Sequence, residues 1–342
     1  MKTKAAILYE LNKPLRVEEV EIPSLKPGQV LVQILFSGLC RAQYNEMIGL
    51  KGPDKFLPHM LGHEASAIVG EIGCEVTKVR VGDYVALSWI KGDGCEVSQT
   101  FYQNGAQRIN AGAVTTFSHY SVVSENRLTK IPKNIPADLA AILGCAVITG
   151  CGIIHNTLNP KEGSSIAIFG TGGVGACVVM AAKEKGCFPI IAVDLNEKKL
   201  EFAQSLGATH GLLMSEEIVE RIRRVVPVGL DYAVDASGAK MAMESAFEVL
   251  HDKGVLVIAG NLSKEEKISI HPFDLIKGKK IIGSWGGESV PQRDITRCIR
   301  AYRNGKLPYQ KLITHRFGLE DINRAFQVLS QGEAGRILIE MK

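Results

Sequence analysis

The sequence predicts an α/β protein with two domains, one β-rich and the other a doubly wound parallel sheet. Three observations lead there. The chain has 342 residues, more than a single hydrophobic core usually fills. Up to about Cys145 it reads as short strands punctuated by Gly and Pro; beyond that point short apolar strands alternate with helical patterns. Finally, a glycine-rich run, Gly170-Thr171-Gly172-Gly173-Val174-Gly175, follows one of those strands and opens a helix.

In the first part, apolar segments at 5–8, 29–36, 65–72, 84–88 and 118–123 are bounded by turn dipeptides such as Pro27-Gly28, Gly52-Pro53 and Gly82-Asp83. Strands so closely broken by turns suit a partly antiparallel, β-rich domain. In the second part, runs at 165–169, 190–193, 232–235, 255–259 and 280–283 are apolar on both faces, with helical patterns such as 174–185 and 198–206 between them. Continuous apolar strands separated by helices belong to a parallel sheet covered on both sides. The tail carries amphipathic helical patterns near 294–304 and 319–331 and a last strand at 336–341. It is expected to pack back on the first domain, which would make that domain discontinuous.

Bulk properties narrow the function classes. Hydrophobic residues make up 46% and charged residues 22%, as in ordinary soluble globular proteins. The net charge of +4 comes from interspersed signs, so neither nucleic acid nor a membrane surface is an expected partner. No signal-peptide pattern opens the chain and no membrane span is expected; the longest apolar candidate, 164–169, reads as a buried strand. A cytoplasmic location is expected. The eight cysteines are scattered rather than framed as disulfides, which favours metal or catalytic use for those that matter.

Two of them and a histidine stand in suggestive contexts: Gly38-Leu39-Cys40-Arg41, Leu61-Gly62-His63-Glu64 and Leu143-Gly144-Cys145-Ala146. Cys40, His63 and Cys145 supply two thiolates and one imidazole, one ligand short of a closed tetrahedral site, and an open zinc is a catalytic zinc. Such an ion polarises a carbonyl or lowers the pKa of an alcohol or water. Taken singly, each residue has a plainer explanation, because free Cys is among the most buried residue types. Cys74, Cys151, Cys177, Cys187 and Cys298 are read as packing residues. His59, His119, His155, His210, His251, His271 and His315 are assigned no ligand role.

The Gly170–Gly175 run fits the dinucleotide-binding pattern G-x-G-x-x-G, and Asp194 ends the next strand, 24 positions after Gly170. In that pattern the first glycine permits the turn. The second lets backbone approach a pyrophosphate, and the third lets helix pack on strand. The phosphates then sit at a helix N-terminus. Asp194 can accept hydrogen bonds from ribose hydroxyls and would repel a 2′-phosphate, and Leu195 offers no compensating cation. That favours NAD over NADP. Asp194 could instead, or also, cap the helix that begins after it. Zinc and a dinucleotide together point to hydride transfer between alcohol and carbonyl.

With these residues in view, the chain resembles the zinc-dependent alcohol dehydrogenases of the medium-chain dehydrogenase/reductase superfamily, essentially end to end. The strongest shared motifs are Gly62-His63-Glu64, the Gly170–Gly175 loop, Leu312-Ile313-Thr314-His315 and Gly332-Glu333-Ala334-Gly335-Arg336. Ala67 stands where the family usually has glycine. The resemblance implies a GroES-like catalytic domain at 1–146 and 285–342 around a Rossmann domain at 147–284. It implies that Cys40, His63 and Cys145 bind the catalytic zinc, with Glu64 behind the metal and able to coordinate it transiently. It puts Arg41 and Arg336 on the pyrophosphate, Thr149 and Val174 at the nicotinamide, and Asp194 and Lys199 on the adenosine ribose. It implies one zinc and NAD as cofactors, an alcohol and its aldehyde or ketone as substrates, and a homodimer or homotetramer joined near 268–284.

Two departures qualify this. Many relatives hold a second, structural zinc with four closely spaced cysteines. In the corresponding stretch, 88–99, this chain keeps only Cys95, so the lobe should be metal-free and the loop 92–113 held by packing or mobile. Relatives without that zinc often accompany sugar or polysaccharide biosynthesis, which admits a sugar or polyol derivative as the alcohol. Secondly, the positions where relatives relay the alcohol proton are Ala42, Gln43 and Asn45. Ala42 cannot transfer a proton, and Gln43 could support His63 only without charge. A water chain, a substrate hydroxyl or Tyr44 is left to serve. Trp89 and Trp285 are candidate walls of the substrate pocket. Two other readings stay open: a zinc-free quinone or enoyl reductase of the same superfamily, and a non-catalytic NAD-binding relative.

Overall fold

The computed structural model describes residues 1–332 and 335–342; Glu333 and Ala334 of the closing motif lie outside the described residues. The chain divides into two compact units. The first comprises Met1–Cys145, Val290–Arg300 and Tyr309–Lys342, and the second Ala146–Ser289 and Ala301–Pro308. The tail thus returns to the first unit, apart from the short segment Ala301–Pro308.

The first unit is built on strands. Lys2–Leu8, Arg16–Glu21, Phe101–Asn104, Gln107–Asn110 and His59–Met60 close a small barrel. The long strand Gln29–Leu39 is the centre of a second sheet, pairing antiparallel with Ala65–Ile72, Tyr120–Ser124 and Arg336–Glu340. Its alternate residues Val30, Val32 and Ile34 are buried with Val69, Val85 and Leu128 in one core. Leu39, Ile337 and Ile339 face another that contains Phe117 and Phe326. This register sets the end of Gln29–Leu39, where Cys40 follows, beside Arg336: Leu39 pairs with Ile337.

The second unit is a six-stranded parallel sheet. Its order is His210–Leu213, Ile190–Asp194, Ile166–Phe169, Leu230–Asp235, Leu250–Ile258 and Lys280–Gly283. In chain order that is 3-2-1-4-5-6, the dinucleotide-binding topology, whose ligand crevice lies where the order reverses. Both strands flanking that point end at loops of interest, Gly170 onward and Ala236-Ser237. The buried residues Phe169, Ile191, Val193, Leu230, Phe247 and Leu256 share one core.

The longest apolar segment is not 164–169. Ala137–Leu158 is a continuous helical run long and apolar enough, by length and composition alone, to cross a membrane, yet 89% of its most apolar window is buried inside the protein. It is a core helix. The run widens to π-type turns at Leu143–Val147 and Ile153–Leu158, a distortion that often marks functional positions. Cys145 sits in the first of them.

Candidate active site

Three different local structures deliver the cysteine and histidine side chains. Cys40 follows the strand Gln29–Leu39 and takes the N-cap position of the short helix Arg41–Met47, its side chain making no cap hydrogen bond. His63 and Glu64 occupy the turn just before the strand Ala65–Ile72. Cys145 hangs from the widened helical turn, which approaches closely because residue 144 is glycine: a Cβ there would run into the carbonyl of Leu87. Ser88 Oγ fixes that approach by donating to Gly144 O at 2.6 Å.

The donor atoms converge. Cys40 Sγ lies 3.9 Å from Cys145 Sγ, and His63 Nε2 lies 3.3 Å from Cys145 Sγ. All three lie within 4.8 Å of one another. Zinc bonds of about 2.3 Å to sulfur and about 2.05 Å to nitrogen put tetrahedral S···S and S···N edges at about 3.8 and about 3.6 Å. The set therefore fits zinc in both donor type and spacing. The neighbouring Cys145 thiol, together with the His63 ring and Arg336, holds Cys40 well below the ordinary thiol range against the opposing effect of burial. A lowered thiol is the metal-binding form.

Glu64 is not part of the converging set. Its side chain is fully buried and paired with Arg336, itself only 5% exposed. Two opposite charges, both out of water, neutralise each other near Cys40. Arg336, expected on the pyrophosphate, is thus engaged with Glu64 and influenced by Cys40. Arg41 is exposed and lies over the Tyr44 ring, 5.2 Å from its centroid. Tyr44 packs with Phe326 in an apolar cluster. Trp89 stands 6.5 Å from His63 between ring centroids, whereas Trp285 is 75% exposed and lines no interior wall of its own unit. Gln43 is buried, and its Oε1 has no hydrogen-bond partner.

The nucleotide loop is assembled in the second unit. Gly170 holds a φ of +87° against the backbone of Ser237, and Gly172 caps the helix Gly173–Glu184 with open space around it. No side chain caps that helix, so its first N–H groups are available to an anion. Val174 is half-buried on its first turn, Gly175 is buried, and Thr149 is buried in the apolar helical run. A pocket of about 120 Å³ next to the loop is lined by Phe169, Gly170, Asp194, Leu195, Ser237 and Ala242, among others. Asp194 Oδ2 accepts from Thr171 N at 2.8 Å and Thr171 Oγ1 at 2.9 Å. The helix-cap alternative for Asp194 fails, because Asn196 caps Glu197–Leu206 by accepting from Lys198 N. Lys199 lies half-buried on that helix.

The sequence reading missed several supporting residues. Asp235 organises the opposite loop by accepting from Ser237 N and Oγ and from Gly238 N, while burial pushes its carboxyl up. An Asp at the end of an apolar strand was the available signal. Cys74, read as packing, is exposed, while Cys151, Cys177, Cys187 and Cys298 are buried. Around Cys95 the lobe is clamped by a carboxylate. Glu125 accepts from Thr77 N and Lys78 N at 2.6 Å each and from Cys95 N at 3.0 Å. Glu96 pairs with Arg127 and Lys91.

Comparison with known proteins agrees with this geometry. Residues 26–133 match the alcohol dehydrogenase GroES-like domain and residues 173–302 the zinc-binding dehydrogenase domain. Alcohol dehydrogenase 1 of Pisum sativum is 33% identical, the match covering 100% of this chain and 98% of the pea protein. S-(hydroxymethyl)glutathione dehydrogenase of Saccharomyces cerevisiae is 32% identical over 99% and 96% of the two chains. The crystal structure of benzyl alcohol dehydrogenase from Acinetobacter calcoaceticus superposes with a TM-score of 0.90 at 27% identity, covering all of both chains. The chain belongs to the zinc-dependent alcohol dehydrogenase family of the medium-chain dehydrogenases. It is an oxidoreductase with a GroES-like domain, a dinucleotide-binding domain, and zinc and NAD(P) as cofactors. The zinc-free and non-catalytic readings have no better support.

Proposed function

We propose that Cys40, His63 and Cys145 hold one zinc ion and that the chain interconverts an alcohol and its aldehyde or ketone with NAD. The observation that carries this is the convergence of two sulfurs and one imidazole nitrogen at tetrahedral edge lengths. When bound, zinc polarises the substrate oxygen and the nicotinamide exchanges the hydride.

The chain's own residues supply the rest. Glu64 and Arg336 cancel each other's charge behind the thiolates, so the buried set is not further burdened by a lone carboxylate. Asp194 favours NAD by offering acceptors where NADP carries a phosphate, and exposed Leu195 supplies no counter-charge. The Gly172 end of its helix receives the pyrophosphate. Ala42 has no exchangeable proton, and Tyr44 is committed to packing, so the alcohol proton leaves through water. The relatives' names, alcohol, S-(hydroxymethyl)glutathione and benzyl alcohol dehydrogenase, support an alcohol or a hydroxymethyl compound as substrate.

We further propose that two copies associate through the edge strand Lys280–Gly283 and the helix Pro272–Lys277. That helix has no buried residue. Phe273, Ile276 and Trp285 are 52%, 78% and 75% exposed, and an unpaired strand edge invites a second strand.

Elemental analysis tests the metal assignment. Protein purified without added metal should carry about one zinc per chain, and Cys145→Ala should lose both the zinc and the activity. Full zinc retention by Cys145→Ala would refute the ligand set.

A further inference from the structure

Apart from the cysteine set, one other group of side chains in the described structure is arranged to hold a metal: Glu46, Asp54 and His59. We propose that these three form a second divalent-cation site, for an ion that prefers nitrogen and oxygen ligands, such as Mn²⁺.

The argument starts from the His59 ring. Its Nδ1 lies 3.0 Å from the carbonyl oxygen of Met60. A carbonyl only accepts, so Nδ1 carries the proton, and in a neutral ring Nε2 then presents a lone pair. Yet Nε2 lies 2.8 Å from Asp54 Oδ2, which also only accepts. Two acceptors at contact distance, in side chains 9% and 10% exposed, need a positive charge between or beside them. Glu46 Oε1 is 3.9 Å from the same nitrogen. A second ring proton would serve Asp54 alone, whereas a divalent cation serves all three.

The surrounding contacts have the form of a metal site. Each inward atom belongs to a group whose other polar atom is held from outside. Lys51 Nζ bonds Glu46 Oε2 at 2.6 Å, Phe56 N bonds Asp54 Oδ1 at 2.8 Å, and Met60 O receives His59 Nδ1. Such outer contacts orient ligands and fix the histidine tautomer. The spacing also suits an octahedral ion: bonds of about 2.1 Å put adjacent ligand atoms about 3.0 Å apart and opposite ones about 4.2 Å apart. One imidazole and two carboxylates match that class of ion, in contrast to the thiolate set. Glu46 and His59 line a cavity of about 540 Å³, which leaves the remaining coordination positions to water or a ligand oxygen. Gln43, 4% exposed and with Oε1 lacking a partner, lines the same cavity.

The test is a Mn²⁺ titration of the full chain with its zinc in place, counting free ion by electron paramagnetic resonance. One Mn²⁺ should bind per chain. Asp54→Asn and His59→Gln should each weaken binding by about tenfold or more. Lys51→Gln, at a side chain 52% exposed, removes the outer contact that orients Glu46 without touching the core and should also weaken binding. Cys145→Ala should leave Mn²⁺ binding unchanged, so a failure of the zinc assignment is read separately. No bound Mn²⁺ at millimolar concentration would show only a protonated His59–Asp54 pair and overturn the proposal. Binding that ignores Asp54→Asn and Lys51→Gln would overturn it equally.

Discussion

Arg336 and Glu64 depend on each other. Removing one partner of a buried ion pair leaves the other charge without water or counter-ion, at a cost of about 3–5 kcal/mol. Glu64→Ala should therefore lower unfolding stability by that order in urea titrations, and Arg336→Ala by a similar amount. A loss below about 1 kcal/mol would mean the pair is solvated in practice. At the nucleotide end, Asp194→Gly with Leu195→Arg exchanges a carboxylate for a guanidinium at the ribose. Measured dissociation constants should shift in favour of NADP. If the unaltered protein already prefers NADP, the ribose assignment falls. Candidate residues are legible where the residue type is chemically rare: two cysteines with a histidine, and a glycine-rich loop, announce themselves, and the first three side chains converge. Partnerships across the chain were not legible. Nothing local in the sequence places Arg336 beside Glu64, because only the strand register brings them together.

Among the elements, the lobe around Cys95 is clamped by the Glu125 carboxylate. Burial pushes the Glu125 carboxyl up, but N–H groups of Cys95, Lys78 and Thr77 outweigh it and hold the group below the ordinary carboxylate range. A lowered folded-state value means the clamp stabilises the protein fully above the unfolded carboxylate pKa. That contribution is lost as pH falls through the lower folded value. Glu125→Gln should cost about 1.5–3 kcal/mol, the worth of hydrogen bonds to a charged group, and should abolish this part of the acid dependence. Limited proteolysis near residues 92–99 should accelerate in the variant; unchanged cleavage would show the lobe is held otherwise. The strands with clear apolar patterns were read within a few residues, as at Gln29–Leu39 and Ala65–Ile72. The hairpin of Phe101–Asn104 and Gln107–Asn110 was not, since its four-residue strands are mostly polar. The run Ala137–Leu158 escaped because its glycines and β-branched residues weaken a helical reading that burial enforces.

For the whole molecule, the path of the chain matters more than any motif. It passes from the first unit to the second between Cys145 and Ala146, inside one helical run. The last metal-set residue and Thr149 are therefore four positions apart on the same continuous element. The alternation of strand types foretold two domains and a returning tail. It carries no information on a surface for a second copy, because exposure is a property of the folded unit; the expected junction near 268–284 came from the family resemblance alone. That surface can be tested on its own. Ile276 is 78% exposed on a helix that buries no residue, so Ile276→Asp should leave the single chain's fold intact. Within an interface the same change desolvates an unpaired carboxylate among apolar side chains, a penalty of several kcal/mol counted twice in a two-fold dimer. Light scattering behind size-exclusion chromatography should then give a dimer or tetramer for the unaltered protein and half that mass, or a marked concentration dependence, for Ile276→Asp. Circular dichroism of the two should coincide. An assembly of unchanged mass in the variant would remove the helix Pro272–Lys277 from the interface, and a monomeric unaltered protein would remove the interface altogether.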